Sequence, residues 1–289
     1  MSNQIGFKLW SFTGKMKTLH LSWMAFFITF MVWFNHAPLL AVIADSLGLS
    51  GSEIKTLLIL NVALTIPARI VIGMLTDKYG PRLTFAVLLA VCSIPCFMFA
   101  FAQDFQQAAL SRFLLGFIGA GFVIGIRMVS EWFPANELGT AEGIYGGWGN
   151  FGSAAAAMSL PALALFIGDV FGVEEAWRYS VALTGLMSLG FSFIWYANVN
   201  DTPKGATYFK PKQTGAMEVT SVGDFYLLLL MKLPMYGALA LLGWKLSPNG
   251  VGLLSDTMTT LAFVGLVALF IVEVWKTYQI NGHLFKEKV

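Results

Sequence analysis

Charge is what this chain has least of. Among its 289 residues only 12% are Asp, Glu, Lys or Arg, against 57% hydrophobic, whereas a soluble domain carries roughly 25% charged residues. That deficit excludes a soluble globular domain and leaves an all-α membrane protein crossing the bilayer several times. Cysteine is nearly as scarce: Cys92 and Cys96 stand one helical turn apart in an apolar segment that also holds Pro95. Two thiols without further ligands make neither a metal site nor a disulfide framework, so they read as buried and inert. No metal, no cofactor and no enzymatic nucleophile is expected. The net charge of +2 names no nucleic-acid partner, and the partner that composition does imply is the lipid bilayer. No cleavable leader is expected, because Met1 to His20 is polar and basic and the first apolar stretch is long enough to be a full span.

What the chain has in quantity is apolar runs. A span needs about 20 mostly apolar residues, and eight stretches qualify, near 21–44, 55–75, 83–102, 108–133, 141–168, 178–198, 223–244 and 255–276. With the N-terminus in the cytoplasm, Lys8, Lys15, Lys17, Lys78, Arg82, Lys204, Lys210, Lys212, Lys276, Lys286 and Lys288 fall inside, and only Lys55, Arg178 and Lys245 outside. That asymmetry predicts an inner-membrane protein with both termini cytoplasmic. The longest polar break, Asn198 to Gly223, separates six spans from two. The expected organisation is a six-helix domain at 1–200, a cytoplasmic linker at 201–222, and two additional helices with a tail at 223–289.

Glycine is concentrated where a soluble helix would avoid it. Gly143-Ile-Tyr-Gly-Gly-Trp-Gly-Asn-Phe-Gly152 spends five glycines in one span, each costing about 1 kcal/mol relative to Ala in a helix interior. In a bilayer, small residues instead let helices approach closely. Asn150 then stands out as a polar group where polarity is expensive. Arg69, in Thr65-Ile-Pro-Ala-Arg-Ile-Val-Ile-Gly73, lies past the middle of the second span. It reads either as a fixed positive charge facing a cavity and suited to an oxyanion, or as an interhelical ion pair or a snorkelling side chain. Phe122, among Gly119, Gly121 and Gly125, has room to lie flat against a crevice, although packing is the commoner fate of such a ring. Arg127 and Glu131 are spaced i, i+4 and read first as a structural bridge. His36 reads as packed rather than proton-carrying. Mid-span Lys232, beside Pro234, either faces a neighbouring helix or snorkels.

Gly73-Met-Leu-Thr-Asp-Lys-Tyr-Gly-Pro-Arg82 closely resembles the loop between the second and third spans of the major facilitator superfamily, Gly-x-Leu-x-Asp-Arg-x-Gly-x-Arg. The resemblance implies a six-helix bundle of that superfamily's type, with Asp77, Lys78 and Arg82 in a cytoplasmic gate. Arg112, four residues before Gly116, resembles the arginine that supports the central cavity from the fourth span. Phe122-Val-Ile-Gly-Ile-Arg, Glu131-Trp-Phe-Pro and the glycine run around Gly149-Asn150 narrow the resemblance to the nitrate/nitrite porter family. That family implies transport of a nitrate or nitrite anion by alternating access. Arg69 corresponds to its substrate arginine, Phe122 to the ring that stacks on the planar anion, and Asn150, with Gly149 beside it, to the polar contact of the fifth span. Asn35, in Phe34-Asn-His-Ala-Pro-Leu39, is implied to line the path.

The departures are informative too. The resemblance covers about residues 20–215, six spans, where the family has twelve and a second substrate arginine, and no Arg follows Arg178 here. The last two spans resemble the helix pair that some bacterial members insert between halves. A half transporter completed by a separate C-terminal half is therefore expected. The alternatives are transport of another small anion and a non-transporting membrane partner.

Overall fold

The computed structural model describes residues 7–210 and 217–285, all helix and connection with no strand among them. Among the described residues eight helical stretches are long and apolar enough to cross a membrane, matching the eight expected spans. The first begins earlier than its apolar run, with α1 (Gly14–Phe34) followed by a 3-10 turn and α2 (Leu40–Leu47). The second comprises α3 (Gly51–Ala63) and α4 (Thr65–Tyr79), the third α5 (Pro81–Ala100). The fourth is α6 (Phe105–Leu115), a 3-10 stretch over Gly116–Ala120 and α7 (Gly121–Trp132). Then come α8 (Ala135–Phe171), α9 (Ala176–Asn198), α10 (Val222–Leu246) and α11 (Asp256–Asn281).

The ends are written locally. Ser50 and Glu53 form a reciprocal capping box at the start of α3, and Asp104 accepts from the Gln107 backbone N–H at the start of α6. Gly172 stops the 37-residue α8 in the left-handed conformation, at φ 66°.

Two irregularities face each other. The second span breaks at Leu64 and the fourth turns 3-10 at Gly116, where an added side chain would press on the Leu64 Cβ. Thr65 Oγ1 donates to the Gly116 carbonyl at 3.0 Å, so a carbonyl at the break keeps a partner inside the bilayer.

The helices form two compact units that part after Lys210. In the first, the broadest contacts pair α1 with α8 and α5 with α9. Gly149 and Gly152 make the first pairing possible, because side chains there would overlap the Phe26 ring and the Phe27 backbone. The second unit is the hairpin of α10 and α11. Lys232, Tyr236 and Glu273 meet across it, the Tyr236 hydroxyl donating to Glu273 Oε2 at 2.6 Å. Lys232 therefore faces a neighbouring helix, with a carboxylate to meet it.

Candidate anion site and gate

Arg69 sits on α4, half-buried, with its Nε enclosed and lacking a hydrogen-bond partner. It has no carboxylate partner among the described residues; Asp77, two turns along, lies near Arg127 instead. The Arg69 guanidinium carbon stands 5.7 Å from the centre of the Phe122 ring on α7. Phe122 is backed by Phe26 on α1 at 5.4 Å and by Tyr145 on α8, stacked at 6.3 Å. The Tyr145 hydroxyl donates to the Phe122 carbonyl at 3.0 Å and fixes the start of α7. Phe26 in turn lies against Gly149. A continuous series of contacts therefore runs from Arg69 through Phe122 and Phe26 to Gly149, joining four helices.

Asn150 follows Gly149 on the exposed surface of α8, where its Nδ2 donates to the Gly146 carbonyl at 2.8 Å. That bond uses one of two amide hydrogens. Gly149 itself is buried, and its contact is the Phe26 ring rather than open space.

Asn35 lies deeper, next to Arg112. Expected along the path, it is wholly buried: its Oδ1 accepts from Arg112 Nη1 at 2.9 Å and its Nδ2 donates to Thr184 Oγ1 at 2.9 Å. The reason lies in Arg112, also wholly buried, whose Nη2 donates to the Trp33 carbonyl at 2.5 Å and to the Asn61 side chain. A guanidinium inside the bundle without a carboxylate needs several carbonyl oxygens, and Asn35 supplies one. His36 is packed beside them, edge-on to Phe99. Cys92 and Cys96 are buried free thiols.

The remaining predicted residues gather where the ends of α4, α5 and α7 meet. Arg127 Nη2 pairs with Glu131 at 2.8 Å, and Arg127 Nε lies 3.9 Å from Asp77 Oδ1. Lys78 is exposed with its ammonium 5.0 Å from the Tyr79 ring centre. Arg82 donates from Nε to the Tyr196 carbonyl at 2.9 Å and stacks over the Tyr196 ring. No cluster of three or more His, Cys, Asp or Glu able to hold a metal occurs among the described residues.

Residues 22–278 match the Major Facilitator Superfamily. The chain belongs to that superfamily. Within it the chain is similar to the nitrate/nitrite porters, being 44% identical to the nitrate/nitrite transporter NrtP of a Picosynechococcus species and 44% identical to NrtP of Nostoc punctiforme. It spans about half the length of these curated relatives: 97% of this chain aligns, with 56% of each of theirs. Among solved structures, a bacterial homologue of the human lysosomal transporter Spinster, inward-facing and unoccupied, is similar at TM-score 0.55 and 16% identity. That likeness covers 92% of this chain and 61% of the other, and carries the fold alone. The chain is thus a multi-pass membrane protein of the major facilitator type.

Three contributors in this superfamily member were not singled out from sequence. Tyr145 and Phe26 support Phe122, and Asn61 completes the Arg112 contacts. Only Asn61 carried a signal, as a lone amide within an apolar span.

Proposed function

We propose that this chain supplies one wall of a site that moves nitrate and nitrite across the inner membrane by alternating access. The observation that carries the reading is Arg69, a cation within a spanning helix that has no carboxylate among the described residues and an aromatic face beside it. A charge at that depth is costly unless an anion or water meets it. Guanidinium donors match planar oxygens two at a time, which suits a flat oxyanion. Phe122 offers the anion an apolar face, and the free amide hydrogen of Asn150 is the directional donor. Identity to the NrtP proteins over nearly the whole chain supports the substrate. Asn35 and Gly149 act indirectly, through Arg112 and through the α1–α8 contact.

On this reading residues 1–200 are the transport domain, 201–222 a cytoplasmic linker and 223–289 an added helix pair. Both termini lie in the cytoplasm. The orientation rests on the Lys and Arg asymmetry; Lys15 pairs with Glu137 beside the start of α8 and Lys17 donates to Asn198 at the end of α9, which puts these basic residues together at one end of the bundle. Asp77, Lys78 and Arg82 then form the cytoplasmic gate, with Arg127 and Glu131 bracing it. The opposite wall of the site is proposed to come from a C-terminal half, corresponding to the part of the NrtP proteins that this chain does not cover.

The test is reconstitution in liposomes loaded for nitrate flux, of this chain alone and together with a C-terminal half. Flux only from the pair, lost with Arg69→Lys, is the expected result. Flux from the isolated chain would overturn the need for a second wall. Flux that survives Arg69→Lys would overturn the bidentate site.

A further inference from the structure

The chain after α9 crosses the ends of α4, α5 and α7 as a strap. Trp132 Nε1 donates to the Asn200 carbonyl at 3.1 Å. Asp201 Oδ1 accepts from the Arg82 backbone N–H at 2.7 Å and occupies the space that a side chain on Gly80 would need. Thr202 then donates to the Ala206 carbonyl at 3.0 Å, closing a turn around Gly205, whose φ of 88° favours glycine. This turn delivers Tyr208 between α4 and α7. Its hydroxyl donates to the Thr76 carbonyl at 2.8 Å, and the Arg127 guanidinium lies 5.3 Å from its ring centre.

Both ends of that contact concern the gate. Thr76 O lies in the last turn of α4, where it accepts from the C-cap Gly80 N–H at 2.8 Å, and Tyr208 is its second donor. Arg127 donates from Nη2 to the Phe209 carbonyl at 2.9 Å and from Nε to the Tyr208 hydroxyl at 3.4 Å. Its guanidinium is thus shared among Glu131 on its own helix, Asp77 on α4 and the strap. Burial pushes the Tyr208 phenol above its ordinary value, with Arg127 opposing. It remains a protonated donor at neutral pH.

We infer that Tyr208 is a positioning residue of the gate: its phenol holds Arg127 against Asp77 and ties the end of α4 to α7. The inference rests on the reading of Asp77 as a gate residue. A hydroxyl is the part that matters, because it alone joins the Thr76 carbonyl to the arginine; the ring without it stacks but does not bridge.

Hydrogen exchange of the full chain in detergent tests it without requiring transport. Tyr208→Phe keeps the ring, and losing one net hydrogen bond should speed exchange of the Gly80 amide by about fivefold to tenfold. Arg127→Gln should speed the same amide, and the double variant should exchange no faster than the faster single one, because both changes break one linkage. A Tyr208→Phe variant that exchanges like the unmodified chain overturns the inference, as does a double variant whose effects multiply. Spin labels at Tyr79→Cys and Ser130→Cys, both exposed positions, supply a second measurement. Their distance distribution should broaden with Tyr208→Phe, and an unchanged distribution would overturn the inference. If Asp77→Asn left transport by the complete transporter unchanged, the gate reading alone would fall, since exchange and distance report the linkage independently.

Discussion

Asn35 accepts a 2.9 Å hydrogen bond from Arg112 at the centre of a bundle where neither side chain touches solvent. The relationship turns a costly charge into a fastening, because Arg112 simultaneously reaches the second span at Asn61 and the first at Trp33. Arg112→Gln would leave those neutral oxygens short of donors, and each buried acceptor left unsatisfied costs about 1–3 kcal/mol. The variant should lose most of its folded, monodisperse yield in detergent. Arg112→Lys should fail nearly as far, since one ammonium does not span three acceptors in a guanidinium's geometry. Melting of Arg112→Gln at the unmodified temperature would remove the fastening role.

The glycines of α8 divide into two kinds. A side chain at Gly149 or Gly152 overlaps Phe26 or the Phe27 backbone, whereas one at Gly143 or Gly147 meets nothing. Gly149→Ala and Gly152→Ala should therefore destabilise by about 1–3 kcal/mol as overpacking does. Gly143→Ala and Gly147→Ala should be neutral or gain up to about 1 kcal/mol from helix propensity. Thermal melting of the four single variants checks the split, and a uniform effect across all four would contradict it.

That division shows where sequence stops being legible. Hydropathy located eight spans because burying a backbone in lipid demands a long apolar helix, a requirement each segment meets by itself. The facing breaks at Leu64 and Gly116 were invisible, since each is explained only by the other helix. The family resemblance likewise placed both Asn35 and Asn150 along the path, yet one is consumed by Arg112 and Thr184 and the other is exposed on α8. Choosing between them needs the neighbours. Tyr208 lay in a polar segment that sequence assigned only to a linker, and its role depends on a turn that carries it back to Thr76.

In the second unit, Lys232 and Tyr236 grip Glu273 across the α10–α11 hairpin. Glu273→Leu alone strands the ammonium in an apolar span and should lower hairpin stability by about 1–2 kcal/mol, the range seen for polar contacts between membrane helices. Adding Lys232→Met should recover most of that loss, because an ion pair and an apolar pair of similar size are closely matched. Exchange protection of α10 and α11 reads the cycle. Strictly additive losses would mean that the two side chains do not depend on each other.

Glu175 predicts a dependence on pH. Arg178 holds its carboxyl below the ordinary value through a bidentate contact at 2.8 and 3.1 Å, and Ser46 adds a further hydrogen bond. A carboxyl lowered in the folded state contributes stability that is complete above its unfolded value and is lost as pH falls through the folded value. Its side chain is 46% exposed, so solvent screens the pair and the contribution is small. The melting temperatures of the unmodified chain and Glu175→Gln should differ at neutral pH and converge in acid. A gap that widened on acidification would reverse the assigned sign.

Arg69 and Phe122 make separable kinetic predictions for the complete transporter. Arg69 is proposed to meet the anion's charge through two parallel donors, and a lysine keeps the charge while losing that fork. Arg69→Lys should therefore lower nitrate uptake by about tenfold to a hundredfold, corresponding to the roughly 1.5–3 kcal/mol of a charged hydrogen bond. Phe122 lies 5.7 Å from the guanidinium carbon and carries no charge, so its effect is on fit. Phe122→Leu keeps the apolar volume and removes the flat face, and it should raise the KM for nitrate while leaving maximal uptake within about twofold, the pattern of lost uniform binding. Phe122→Tyr, which keeps the face, should restore the KM. A Phe122→Leu transporter with unchanged KM would move the ring from the anion's surroundings into the packing against Phe26 and Tyr145, whatever Arg69 does.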